Sequence, residues 1–461
     1  MYATQAEAIQ NSIFHKLIEH SSATEWGRKY TYTQIKKYAD FQHVPIQTYE
    51  DAKGYIDRMR HGEKDVLCPG KVIWYAKSSG TTNDKSKFIP VSPEGLKNIH
   101  YRGGIDAVAL YLRENPESRF FSGKGLILGG SHSPNYNVKD SLVGDLSAIL
   151  IQNINPLVNL IRVPSKEIAL LSEFEEKVER IAETTIHKNV TNLSGVPSWM
   201  LAVIKRILEK TGAKHLNEVW PNLEVFFHGG VCFTPYREQY KQLIPSDKMH
   251  YMETYNASEG FFGLQSDLHD PAMTLMIDYD VFYEFIPMDE LDSPKPNVVP
   301  LWGIEVGKNY AMLISTSCGL WRYMLGDTVR FTQKDPYKFI ISGRTKHFIN
   351  AFGEELMVDN AEKAGTCLPG NRSASAGIFG RSGIHGRKCQ MPSPMAHRVQ
   401  CDAGFHRKIP SHTGYSLTGN QFRLRSQTAQ GHHPPGAGNH RSPSGTFPRL
   451  AETERKTGRP A

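Results

Sequence analysis

The stretch Ser78-Ser79-Gly80-Thr81-Thr82-Asn83-Asp84-Lys85-Ser86-Lys87 lies between two apolar runs, Val72–Ala76 and Phe88–Val91. Both flanks read as strands, so the segment between them is a turn joining two strands. Small hydroxyl residues around a single glycine can aim backbone N–H groups and side-chain hydroxyls into a concave seat for phosphate oxygens. Lys85 and Lys87 can neutralise the charge that develops on a departing polyphosphate. The Gly-x4-Gly-Lys-Ser/Thr spacing of the common P-loop is absent, and taken alone such a turn is also compatible with an ordinary solvated loop.

Strand-like and helix-like segments alternate around this turn. Residues 6–34 read as helical, with Ile9, Ile13, Leu17 and Ile18 on one face. Gly125–Leu128, Val190–Leu193 and Leu223–His228 read as short buried strands, and Ile168–Thr185 and Ser198–Thr211 as helices. This alternation predicts an α/β architecture with ligands at the strand ends. The later segments Met273–Ile286 and Asn309–Thr316 are strand-rich and predict a barrel-like subdomain.

Three further motifs follow in order: Tyr255-Asn256-Ala257-Ser258-Glu259-Gly260, Trp321-Arg322-Tyr323-Met324-Leu325-Gly326-Asp327, and Ser342-Gly343-Arg344-Thr345-Lys346-His347, the last trailed by Gly353-Glu354-Glu355. Together with the hydroxyl-rich turn, their order and spacing resemble the adenylate-forming, firefly-luciferase-like enzymes. Within them the chain is most similar to the bacterial branch of the auxin-responsive Gretchen Hagen family of acyl acid–amido synthetases. The likeness runs from about Met1 to Lys363. It implies a large multi-layer adenylate-forming domain (1–341), a hinge and the start of a small C-terminal domain (342–363), and ATP and Mg2+ as cofactors. The substrates it implies are a small carboxylic acid and an amine or amino acid.

The resemblance also implies roles for individual residues. Ser78, Ser79, Gly80, Thr81 and Thr82, with Lys85 and Lys87, would seat the β- and γ-phosphates. Glu259, beside Ser258, would help hold Mg2+, since a hard ion prefers carboxylate oxygen; the alternative is a carboxylate at a helix N-terminus. Tyr255 would stack on adenine or simply pack in the core. Gly229 and Gly230 would let the backbone approach the base, or form a plain strand-end turn. Asp327 would accept the ribose hydroxyls, and Arg344 would reach ribose or phosphate ahead of a Thr345-Lys346 hinge. His347 stands where many relatives carry an acidic hinge residue. His132 would line the acyl pocket or sit on a surface loop.

Composition matters chiefly because it is uneven. Of the 54 Lys+Arg and 47 Asp+Glu, residues 364–461 hold 14 and 3, which leaves the first 363 residues with 40 basic and 44 acidic. The tail is rich in Gly, Pro, Ser, His and Arg and has no hydrophobic periodicity. It reads as a disordered basic tail, a low-complexity linker, or a translation in the wrong frame. Read one base later, suitable synonymous codons for Ile384–Val399 and Phe447–Ala461 give strings rich in Trp, Lys and acidic residues. Met395 before Ala396 forces one of those tryptophans, and a single offset serves both segments. The preferred reading is therefore a frameshift between Lys363 and Cys367, with the small C-terminal domain largely lost and the His and Cys of the tail not metal ligands.

Six scattered cysteines lack paired spacing, so neither a disulfide framework nor a zinc site is implied. No apolar run is long enough to span a membrane, and the first residues lack a signal-peptide pattern, so the expectation is a cytoplasmic protein without a membrane or nucleic-acid partner. An acyl-CoA-forming ligase, a non-catalytic nucleotide-binding remnant and a nucleic-acid binder acting through the tail are the rival readings. The acid, the amine and the oligomeric state are not written in a single sequence.

Overall fold

The computed structural model describes residue 2, residues 4–78 and 86–345, and the backbone of 348–351 and 354–357. Its strands are β1 (Trp74–Ser78), β2 (Lys87–Val91), β3 (Lys124–Ile127), β4 (Leu142–Gly144), β5 (Arg162–Val163), β6 (Val190–Gly195), β7 (Val225–His228), β8 (His250–Ala257), β9 (Gly260–Gln265), β10 (Met273–Leu275), β11 (Val281–Pro287), β12 (Val299–Pro300), β13 (Asn309–Thr316), β14 (Tyr323–Lys334), β15 (Tyr337–Arg344), β16 (Phe348–Ala351) and β17 (Glu354–Met357). Twelve of them form one mixed sheet in the order β12-β11-β13-β14-β15-β10-β9-β8-β7-β6-β3-β5. From β5 through β3, β6 and β7 to β8 the pairing is parallel, and from β8 to β12 it is antiparallel. The barrel-like subdomain expected of the later segments takes the form of this antiparallel extension, continuous with the parallel half.

The parallel half is built as its sequence requires. Val225–His228 is buried along its whole length, as expected of a strand covered on both faces. The helices Phe174–Thr185 and Pro197–Thr211 contribute Ile181, Met200 and Ile204 to a core shared with Leu126, Leu193 and Phe226. Pro197 opens the second of these helices, and Gly212, in the left-handed conformation at φ +70°, ends it. The continuous acidic helix expected from Ile168 begins later, at Phe174, because a short turn of helix (Lys166–Ala169) breaks off before it.

The first helix, Ala6–Ser21, packs Phe14, Leu17 and Ile18 into the other core, against Phe41 and Phe282. It is shorter than the 6–34 expectation; a second helix, Glu25–Lys29, follows with Thr24 as its N-cap. Gln10 is buried and fully used: its amide nitrogen donates to the Ile277 and Val281 carbonyls, and its oxygen accepts from the Tyr283 N–H. β1 and β2 form an antiparallel hairpin whose last pair is Ser78 opposite Lys87, and β4 runs parallel to β1. β15 continues through Arg344, and Thr345 donates from its backbone N–H to the Gly326 carbonyl at 2.9 Å. The domain boundary expected at 341 therefore falls inside a strand of the large sheet. Lys346, His347 and the segment from Val358 onward, including the 364–461 tail, lie outside the described residues.

Candidate active site

The parallel strands β3, β6, β7 and β8 end at one rim of a cleft of about 2260 Å3. Leu128, Val196, Gly229-Gly230 and Ser258-Glu259 follow those strands, and all line the cleft. Ligand placement at the carboxyl ends of parallel strands is the rule in open α/β sheets. The β1–β2 hairpin reaches the same cleft through Ser78 and Lys87, and the end of β14 and β15 brings Asp327 and Arg344. Of the residues singled out in the sequence, Ser78, Lys87, Gly229, Gly230, Tyr255, Ser258, Glu259, Asp327 and Arg344 are thus gathered around one space. Ser79, Gly80, Thr81, Thr82 and Lys85 lie outside the described residues.

Strand register joins the three later motifs. Asp327 and Arg344 are direct partners across β14 and β15, and Arg344 Nε donates to Asp327 Oδ1 at 2.8 Å. The second carboxylate oxygen accepts from the Tyr255 hydroxyl, which comes from β8. Tyr255 is buried, and burial together with the Asp327 charge pushes its phenol far above the ordinary range, so it stays a neutral donor. Its ring packs edge-on against Phe262 at 5.1 Å. What Tyr255 brings to the site is a hydroxyl that fixes Asp327, alongside the core packing weighed for it in the sequence. Both Asp327 oxygens keep lone pairs for further donors.

Ser258 and Glu259 form the two-residue turn between β8 and β9, with Ala257 opposite Gly260. Glu259 is therefore on a hairpin and not at a helix N-terminus. Burial raises its carboxyl to about 7; Asp327 adds to the rise, while Lys87 and Arg344 oppose it. A carboxylate in this state has more to gain from a cation than one in water. Among the described residues no cluster of three or more His, Cys, Asp or Glu stands ready to cage a metal. A single carboxylate could hold Mg2+ only with help, since that ion keeps several waters and draws its other ligands from phosphates where these are bound.

The glycine pair is demanded by the fold. A Cβ on Gly229 would stand 2.3 Å from the Thr254 carbonyl oxygen, so only glycine allows β7 and β8 to close up there. Gly230 has φ +81°, where other residues are strained. Arg322, in the middle of its motif, turns away from the cleft. Its guanidinium is buried on Glu284, with Nη2 to Oε1 at 2.9 Å, and donates to the Gln42 and Val44 carbonyls. His132 is not among the residues that line the cleft; it stacks on Trp74 at 5.4 Å and bridges to Gly144. The acyl-pocket role expected of His132 is accordingly not supported. Among the described residues Cys68, Cys232 and Cys318 are free thiols.

Several residues in and beside the cleft had no signal in the sequence. Tyr49 accepts from the Phe88 N–H at 2.9 Å, and its ring lies 5.8 Å from Lys87 Nζ. Lys177 is buried and donates to the Gly129 and Gly130 carbonyls, fixing the loop after β3. The His228 ring is buried in the β7 strand against Phe233, and burial drops its pKa to about 3.

The profile of the GH3 family N-terminal domain matches residues 1–249, and that of the GH3 family central domain matches residues 274–344. The chain belongs to the GH3 family. Among its relatives, the indole-3-acetic acid-amido synthetase GH3.17 of Arabidopsis thaliana is 25% identical over 71% of this chain and 67% of that protein. The 4-substituted benzoates-glutamate ligase GH3.12 of the same plant is also 25% identical, with the same coverage. The solved structure of AtGH3.15 acyl acid amido synthetase with 2,4-DB superposes with a TM-score of 0.67 at 21% identity, covering 79% of this chain and 72% of that one. An open form of 2-hydroxyisobutyryl-CoA ligase gives 0.53 at 11% identity, covering 79% and 81%. The two superpositions establish a shared fold, that of GH3 and other adenylate-forming enzymes. No helix among the described residues is long and apolar enough to cross a membrane.

Proposed function

We propose that this GH3 chain activates a carboxylic acid with ATP as an acyl-adenylate and passes the acyl group to an amine, in the manner of an acid–amino acid ligase. The observation that carries the reading is the convergence of Glu259, Asp327, Arg344 and Lys87 on one cleft at the ends of the parallel strands. A carboxylate is a poor acyl donor, because its oxygen leaves badly and its charge repels nucleophiles. Attack of a carboxylate oxygen on the α-phosphorus breaks the bond to pyrophosphate and forms a mixed anhydride from which AMP departs readily. Two anions must be brought together for this, so the site needs cations and N–H donors held in place beforehand.

In this reading Asp327, fixed by Tyr255 and Arg344, receives the ribose hydroxyls. Gly229 and Gly230 form a wall without side chains against which the base lies. Lys87 and Ser78 face the polyphosphate. Glu259 would hold Mg2+, which when bound spreads the charge of the phosphates. Arg344, half-exposed at the end of β15, is free to turn toward phosphate as the nucleotide binds.

Ligation needs groups from beyond residue 345, and the change of composition after Lys363 supports a shifted frame there. The chain as printed is therefore proposed to adenylate and to transfer inefficiently. Resequencing codons 360–370 tests the frame, since an uninterrupted read in the printed frame would refute an error in the sequence. The function itself is tested by acid-dependent ATP–pyrophosphate exchange over a panel of carboxylic acids, followed by product analysis with amino acids and with coenzyme A. Exchange with an amide as final product is expected. A thioester would favour the CoA-ligase reading, and nucleotide binding without exchange would make the chain a remnant. Amide formation at the rate of intact relatives would contradict the impaired transfer.

A further inference from the structure

Arg162 opens β5, the edge strand of the parallel half, and lines the cleft at the end away from the nucleotide residues. Its residue surface is only 5% exposed. The other buried cations of the described residues are accounted for by their surroundings: Arg322 pairs with Glu284, Arg60 with Asp57, and Lys177 with two carbonyls. Arg162 is different. Nε donates to the Asn159 side chain at 2.7 Å and Nη1 to the Pro164 carbonyl at 3.1 Å, so both partners are neutral. No acidic side chain among the described residues forms a direct ion pair with it; Glu167 is near enough to act on it through its charge, but makes no hydrogen bond to it. Nη2 has no hydrogen-bond partner there and is not one of the sealed, unpartnered buried atoms.

A buried guanidinium without a directly paired anion is a costly arrangement, and its planar fork is suited to carboxylate oxygens. β5 lies three strands from β7, where Gly229 and Gly230 stand, so about 14 Å of cleft separates the two at ordinary strand spacing. The lining on the way is mixed but carries much apolar surface: Phe227, Leu128, Ile151 and Leu150, with Asn192 and Ser194 of β6 beside them.

We propose that Arg162 is a specificity-determining residue that receives an oxygen-bearing, preferably anionic, group at the far end of the acyl acid. The substrate class is then an acid with an apolar body, one carboxylate at the reacting end and a second oxygen acceptor at the other. This rests on the adenylation reading above. The same guanidinium chemistry would also suit the α-carboxylate of an acceptor amino acid, and the experiment separates the two sources.

Exchange is measured without any amine on the full chain. The substrates are a saturated monocarboxylic acid and the α,ω-dicarboxylic acid of equal length, about ten carbons to match three strand spacings. Wild type should favour the diacid by about tenfold or more in kcat/KM, the range of a charged hydrogen bond. Arg162→Met should remove that preference through KM and leave the monoacid within about twofold, and Arg162→Lys should restore part of it. Equal losses on both acids would mean a structural role and would overturn the proposal. So would the absence of any preference in wild type, or an effect confined to the KM of the amino acid in the complete reaction. Should neither acid drive exchange, calorimetric binding of the diacid still decides the matter. Affinity about tenfold weaker in Arg162→Met supports the assignment, and unchanged affinity refutes it.

Discussion

Glu259 stands between two opposed influences, burial that favours its neutral form and the proposed metal-binding role that would need its charge. Its carboxyl is raised to about 7 in the fold from an ordinary 4.5. The fold therefore binds the proton more tightly than the unfolded chain does, so stability falls as pH rises from 4.5 to 7 and the penalty is complete above that window. Glu259→Gln should accordingly raise thermal stability above pH 7, by up to about 3 kcal/mol, while lowering the exchange rate and its response to Mg2+. Calorimetric melts at pH 5 and 8 beside exchange assays check both halves. Asp327→Asn should weaken productive ATP use by about 10- to 100-fold, since it removes the charge that Arg344 and Tyr255 hold in place; ATP titration in the exchange assay reads this directly. At this scale the sequence was informative where chemistry is local. The Gly326-Asp327 and Gly343-Arg344 pairs could be singled out one by one, but not the strand register that makes them partners. Arg162 was invisible, because its significance lies in a guanidinium left without a direct ion pair, and no spacing encodes that.

Between elements, the closest contacts carry the clearest consequences. Gly229→Ala would force the Thr254 carbonyl away and part β7 from β8; overpacking of this kind typically costs about 1–3 kcal/mol, and denaturant midpoints would show it. Arg322 and Glu284 join the 42–47 segment to β14 and β11. Removing the guanidinium alone leaves a buried carboxylate, so Arg322→Met should cost about 3–5 kcal/mol, whereas Arg322→Met with Glu284→Leu should recover much of it. Equal losses in single and double variants, measured by urea unfolding, would contradict a paired role. The helix Pro197–Thr211 was legible because proline and glycine mark its ends, and β7 because a buried parallel strand is apolar throughout. The order of the antiparallel half was not legible: β10 pairs with β15 across more than sixty residues, and periodicity says nothing about which strand meets which.

Across the whole molecule, two buried histidines shape the response to acid. Burial lowers His100 to about 4 and His228 to about 3. Between those values and the ordinary 6.5 the unfolded chain binds more protons, so their contribution is complete above 6.5 and is lost as pH falls. His100 alone accounts for about 3 kcal/mol over that window. Glu259 works the other way over this window, but the two histidines together outweigh it, so melting temperature should fall below pH 6 and His100→Gln should flatten that limb. The large sheet, its cores and the cleft at the strand ends all lie within residues 4–345, where the adenylation chemistry is proposed to take place. Oxygen transfer tests that placement most directly. The chain is incubated with ATP, an accepted acid labelled with 18O in its carboxylate, and an acceptor. One labelled oxygen should appear in AMP, because the carboxylate oxygen that attacks the α-phosphorus stays with it when the acyl group leaves. Label in inorganic phosphate, or AMP released without label, would contradict an acyl-adenylate at this site.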